Sequence, residues 1–151
     1  MEDRRSTSGY FFGFGSAAVC WSSKKQATIA LSSSEAEYTA ATSSACQALC
    51  LRRILADVNQ KQKEATEIYC DNQAMISMTK NPFFHGRTKH IDIRVHFIRD
   101  LVSEGLIVLR YCNTNEQVVN ILTKFLSRDK HVYFRLHLGV CNFESRWSIG
   151  E

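Results

Sequence analysis

Ser32-Ser33-Ser34-Glu35-Ala36-Glu37-Tyr38 opens the longest helical segment of the chain, and how it is read decides where chemistry can begin. A helix start leaves backbone N–H groups unsatisfied, and a serine followed three residues later by a glutamate satisfies two of them reciprocally. Two such boxes fit. Ser32 with Glu35 leaves Glu37 free one turn into the helix, whereas Ser34 with Glu37 consumes it. The ordinary role of either glutamate is a cap or a solvated anion beside the helix dipole. Downstream come Ala40, Ala41, Ala45 and Leu49. Leu51, Ile54, Leu55 and Val58 then keep the i, i+3, i+4, i+7 rhythm of a buried face.

Ahead of this helix, the aromatic run Gly9 to Phe14, a Gly13/Gly15/Ser16 turn and Ala17 to Ser22 predict a β-hairpin. Ser23 to Gln26 reads as a basic loop, in which Lys24 and Lys25 are ordinarily solvated charges and alternatively phosphate contacts. Behind the helix, Asn59 to Ala65 is a polar connection and Glu67 to Asp71 a short strand. Asp71-Asn72-Gln73 then marks a strand end followed by an Asn-capped helix to Thr79. Such a βα junction is where α/β folds place ligands, which makes Asp71 a candidate for function as well as for an ordinary turn carboxylate.

Asn81-Pro82 stops that helix, and the loop to His90 carries His85, Arg87, Lys89 and His90, with no spacing that resembles a metal site. A helix to Glu104 buries Ile91, Val95, Ile98 and Val102 and ends at Gly105. Leu106 to Tyr111 is an apolar run that predicts a buried strand. Thr114 with Gln117 offers a capping box for a short helix through Phe125, and Ser127 caps a last helix, Asp129 to Leu138. The layout is α/β with a mixed sheet. It contains an oddity, because an antiparallel hairpin in front and parallel βα units behind need a strand between them.

At 151 residues and 44% hydrophobic, one domain with a core is expected over residues 1–140, followed by an eleven-residue tail, 141–151. Net charge is +4 and pI about 8.8, which permits a polyanionic partner without requiring one. No long apolar run and no signal-peptide pattern occurs, so an intracellular protein away from membranes is expected. The six cysteines have no metal-finger spacing and are expected as buried free thiols.

The blocks RSTSGYFF (5–12), WSSKKQATIALSSSEAEY (21–38), LRRIL (51–55), IYCDNQAMISMTKNPFFHGRTKHIDIRVHFIRD (68–100) and NILTKF (120–125) resemble, in order and spacing, the ribonuclease H domain of copia-type LTR retrotransposon Pol polyproteins. The resemblance spans about residues 4 to 140. It implies a mixed sheet flanked by helices, with four acids holding two divalent metals, usually Mg²⁺. These hydrolyse the RNA strand of an RNA/DNA hybrid, beside an upstream reverse transcriptase segment. One metal activates water and the other stabilises the leaving oxygen, and closely spaced cations require surrounding anionic charge.

Carried over residue by residue, the resemblance implies that Glu37 and Asp71 are catalytic metal ligands, which agrees with Ser32 as the cap. The first family acid lies on a central strand ahead of RSTSGY, which this sequence lacks. Glu2 and Asp3 precede the hairpin on a loop and are poor replacements. The last family acid is Asn120 here, an oxygen donor without charge. The resemblance therefore implies an impaired nuclease. The alternative is a non-catalytic module of the same fold that grips a nucleic-acid duplex through Lys24, Lys25, Arg87, Lys89 and Arg94.

Overall fold

A computed structural model describes residues 4–81 and 89–140, and of Lys89 and His90 the backbone alone. The aromatic stretch folds as the expected hairpin, β1 (Thr7–Phe14) antiparallel to β2 (Ala17–Lys25), with a register shift between Phe12 and Gly13. Gly15 supplies the positive φ, 60°, that its two-residue turn requires. β2 runs three residues past the predicted end, so Ser23, Lys24 and Lys25 are strand residues and not a loop. Their partners Gly9, Ser8 and Thr7 hold them in the ladder.

Helix α1 (Ser33–Asp57) is capped by Ser32, whose Oγ accepts from the Glu35 N–H at 3.1 Å while Glu35 Oε2 accepts from the Leu31 N–H at 2.8 Å. That settles the choice between the two boxes and leaves Glu37 uncommitted to capping. The buried face of α1 is Tyr38, Ala41, Ser44, Ala45 and Ala48. It is not the expected Leu51/Ile54/Leu55/Val58 stripe, since Ile54 and Val58 are exposed. The burial ends where the helix runs past the strands. There Arg52 ties the 59–65 connection down, donating to the carbonyls of Glu64 and Gln62 and to Thr66 Oγ1.

Strand β3 (Thr66–Cys70) precedes α2 (Gln73–Lys80). Asn72 caps α2, its Oδ1 accepting from the Met75 N–H at 3.1 Å. Helix α3 (Lys89–Ser103) buries Ile91, Val95, Ile98 and, in place of the expected Val102, Leu101, with Val102 half-buried beside it, and β4 (Ile107–Tyr111) lies parallel to β3. The apolar run of β4 is buried on one face only, through Ile107 and Leu109. Arg110 is exposed on the opposite face, which no element covers among the described residues, and Tyr111, on the inner face, is exposed at the strand end. α1, α2 and α3 pack together over the inner face of this pair, and α1 also reaches β1.

The last two helices are α4 (Asn120–Thr123) and α5 (Arg128–His137), the latter capped by Ser127 as expected. α4 is shorter than predicted and has no side-chain cap, because Gln117 sends its Nε2 to the Tyr69 carbonyl and the Thr114–Gln117 box does not form. Cys46 and Cys50 are exposed and Cys20, Cys70 and Cys112 half-buried, so of the expected core cysteines only Cys70 packs against the core, while Cys141 lies outside the described residues. Both exposed ones fall off the α1 stripe that carries Ala41, Ala45 and Ala48.

The α/β expectation holds. The sheet, however, is not one mixed sheet. Among the described residues there are two separate two-stranded sheets, β1–β2 and β3–β4, each resting on α1. The tail, 141–151, lies outside the described residues, as do Glu2, Asp3 and His85.

Candidate acidic cleft

Three elements deliver the three positions singled out in the sequence to one cleft of about 190 Å³. Glu37 comes from the first turns of α1, Asp71 from the residue just past β3, and Asn120 from the first residue of α4. Both acids are half-buried, while Asn120 is 5% exposed. Thr7 to Gly9 form the facing wall.

Asn72 links the cap of one helix to the acid of another. Its Oδ1 holds the α2 N-terminus, and its Nδ2 donates to Glu37 Oε2. One planar amide thus fixes both the βα junction beside Asp71 and the rotamer of Glu37. The sequence flagged Asn72 as a cap, but its second partner lies 35 positions away and left no local signal. Asn120 is similarly committed, since its Nδ2 donates to the Thr114 carbonyl at 2.8 Å, leaving Oδ1 as its only oxygen donor.

α4 reaches the cleft because β1 has no side chain under it at Gly9. A Cβ there would stand 2.7 Å from Thr123 Cγ2 and 3.0 Å from the Ser22 carbonyl. Ser23 Oγ adds a 2.6 Å bond to the Leu122 carbonyl from the neighbouring strand. Lys124, exposed at the rim, is a cation of this cleft that sequence reasoning missed, although it stands in the quoted NILTKF block.

Two half-buried thiols sit behind the carboxylates. Burial pushes Cys70 up to about 11 against the lowering effect of its bond to the Asn72 carbonyl, and the neighbouring Asp71 and Glu37 carboxylates add to the rise. Cys112 is raised as well, first by burial and then by Asp71 and Glu116. Both stay protonated near neutrality.

The donor chemistry bears directly on magnesium. Mg²⁺ is satisfied by one or two carboxylates with water completing an octahedron, so Glu37 and Asp71 suit one hydrated ion. Two closely spaced ions are not matched by two carboxylates and one neutral amide. Among the described residues no group of three or more His, Cys, Asp or Glu side chains is placed to hold a metal.

The cationic positions are less concentrated than the acidic ones. Lys24 and Lys25 line a neighbouring cleft of about 470 Å³ with Ser8, Thr39 and Ser43. Arg94 is half-buried on α3, its guanidinium donating to Thr39 Oγ1, which binds α3 to α1. Arg87 and the side chain of Lys89 lie outside the described residues. No helix among the described residues is long and apolar enough to cross a membrane.

Comparison with known proteins gives a consistent result. The chain is 42% identical over 130 residues to the retrovirus-related Pol polyprotein from transposon TNT 1-94 of Nicotiana tabacum, covering 86% of this chain. It is 40% identical over 141 residues to the corresponding polyprotein from transposon RE1 of Arabidopsis thaliana, and 39% identical to that from RE2, each covering 92% of the chain. These homologues are Pol polyproteins of plant transposons, and the chain spans about a tenth of the length of the curated relatives it matches. No protein-family model matches, and no solved structure matches.

Proposed function

We propose that this chain is the ribonuclease H-like segment of a retrotransposon Pol polyprotein, and that it engages an RNA/DNA hybrid without cleaving it by itself. The observation that carries the reading is the meeting of Glu37, Asp71 and Asn120, from three elements, in one cleft. The polyprotein homology supports the setting.

A divalent ion bound there would supply water activation and neutralise charge at a phosphate. The chain's own residues set the limits. Glu37 is held in place by Asn72, Asp71 projects from the end of β3, and Asn120 offers an oxygen without a charge. Lys124 at the rim is a cation placed for a backbone phosphate. A few kcal/mol of missing transition-state stabilisation lowers a rate by on the order of a hundredfold or more.

The test incubates the purified chain with an RNA/DNA hybrid and Mg²⁺. No cleavage is expected. Cleavage that disappears in Glu37→Gln would overturn the inactive reading. The second reading, a purely electrostatic binding module, is favoured by Lys24 and Lys25 sharing one cleft. It predicts hybrid affinity that falls steeply with salt and is indifferent to Glu37→Gln and Mg²⁺. A flat salt response, or no binding at low salt, removes it.

A further inference from the structure

The net charge of +4 is small, and it is not spread evenly. Between Gln117 and Val140 stand four cations, Lys124, Arg128, Lys130 and Arg135, against one acid, Asp129, so this stretch holds three of the four excess charges. A weak overall charge acts on a polyanion only where it clusters, and it clusters on α4, α5 and the connection between them. Arg135 is half-buried, whereas Lys124, Arg128 and Lys130 are exposed. Among the described residues no carboxylate pairs with any of these three. Lys130 Nζ donates instead to the neutral Asn115 Oδ1 at 2.8 Å, which leaves its charge uncompensated.

Set into this cluster is an aromatic ring without cover. Phe125 is fully exposed, yet the corner that carries it is fixed at both ends. The Lys124 N–H bonds the Asn120 carbonyl at 2.9 Å to close α4, and Ser127 caps α5. Between them the chain is extended, with φ −136° and ψ 153° at Lys124, so successive side chains alternate in direction. Lys124 lines the acidic cleft and Leu126 is half-buried, which leaves Phe125 the outward position. A lone exposed apolar side chain is ordinary on a protein surface. Here the ring stands between two uncompensated cations, Lys124 and Arg128. Further along α5 a second aromatic, Tyr133, is exposed and packs on His137 with ring centroids 4.1 Å apart.

We infer that the α4–α5 corner binds an unpaired nucleic-acid strand, with a base stacked on Phe125 and the phosphates on either side of that base taken by Lys124 and Arg128. The choice of ligand follows from the two kinds of group together. Cations alone accept any polyanion. A ring that stands clear of the surface needs a planar face to cover it, and in a duplex the base faces are already covered by neighbouring pairs. Acidic side chains bring charge but no such face. An unpaired strand brings both at regular spacing, and stacking is tolerant of sequence because every base has a face. The site is distinct from the acidic cleft, since stacking and phosphate contact require neither a metal nor Glu37 and Asp71. Lys124 joins the two surfaces. It lines the cleft and begins the corner, so the unpaired continuation of a strand lying at the cleft passes over Phe125.

The probes are fluorescently labelled oligothymidine and oligouridine of about twelve nucleotides, titrated with the full chain at low salt in EDTA and read by anisotropy. The titration contains no hybrid and no metal, so its result is independent of the nuclease reading. Binding is expected, and binding of one oligomer alone supports the site and identifies the strand as DNA or RNA. Phe125→Ala should weaken it by about fivefold or more, the loss of one stacked base, while Phe125→Trp retains it. Lys124→Gln combined with Arg128→Gln should weaken it and make its salt dependence shallower. Inorganic polyphosphate, a polyanion without bases, should bind the parent chain and Phe125→Ala equally. Upfield movement of the Phe125 ring protons on adding either oligomer gives a second reading that needs no variant. No binding at low salt, unchanged affinity in Phe125→Ala, or a loss that polyphosphate shares in full overturns the inference. So does polyglutamate that binds as tightly as the oligomers, since the occupant would then be an acidic polypeptide.

Discussion

The hairpin and the parallel pair are both two strands long in cross-section, yet they are stabilised in opposite ways. Neither β1 nor β2 contains a fully buried residue, whereas β3 and β4 bury Ile68, Ile107 and Leu109 beneath three helices. Apart from Phe12, which packs half-buried against the core, the hairpin is held by polar bonds at a few points: Tyr10 Oη to Gln47 Oε1, Gln47 Nε2 to Cys20 Sγ, Gln26 Nε2 to Ser8 Oγ and the Ala36 carbonyl, and Ser23 Oγ to the Leu122 carbonyl. Apolar burial is cooperative and hard to undo locally, while a few polar anchors open at low cost. The difference teaches that the cleft has unequal walls. Glu37 and Asp71 stand on the firm side, and Thr7 to Gly9 belong to the side that opens first.

The largest expected effect compares one residue from each region. Ile107→Ala, at 1% exposure, should lower stability in urea denaturation by about 2–5 kcal/mol, because it removes buried methylenes and leaves a cavity. Trp21→Ala, with the tryptophan 63% exposed, should cost within about 0.5 kcal/mol despite deleting a larger side chain. Equal costs would break the contrast.

The contrast also explains what the sequence disclosed. The hairpin, the Ser32 cap, the Asn72 cap and the α3 stripe were legible because each is written in neighbouring residues, as periodicity, turn chemistry or a three-residue offset. The true buried face of α1 was not, since Ile54 and Val58 have the right spacing and simply lie where no element covers them. Nor was the separation of the sheets, which depends on partners between strands. In the cleft, the positions of Glu37 and Asp71 were readable from a helix start and a strand end. The Asn72 bridge and the arrival of Asn120 depend on contacts across the fold.

Gly9→Ala sharpens the comparison at the point where the soft wall carries part of the cleft. The new methyl group meets Thr123 Cγ2 and the Ser22 carbonyl, so α4 must move and take Asn120 with it, at about 1–3 kcal/mol for overpacking. Chemical-shift changes should concentrate on Asn120 to Lys124 and spare β4. Thr123→Ala added to Gly9→Ala should recover part of the loss but not all, because the Ser22 carbonyl cannot retreat. Full recovery, or shifts spread evenly through β3 and β4, would mean that α4 is not seated on β1. Gln26→Ala comes next, at about 1 kcal/mol for each bond it removes, and should speed amide exchange in β1 and β2 while leaving β3 and β4 unchanged.

The smallest effect belongs to the firm side and has a defined pH window. Cys70 titrates at about 11 in the fold against an ordinary value of 9.0, because burial disfavours the thiolate. Below pH 9 both states hold the proton and the group contributes no pH dependence. Between about 9 and 11 the unfolded chain releases the proton while the folded chain keeps it, so the unfolded state binds fewer protons and stability falls as pH rises. Half-exposure limits the loss to on the order of 1 kcal/mol. Cys112 is raised in the same direction, so Cys70→Ala should flatten the alkaline slope without abolishing it. An alkaline slope that Cys70→Ala left unchanged would break the assignment of this loss to the firm side.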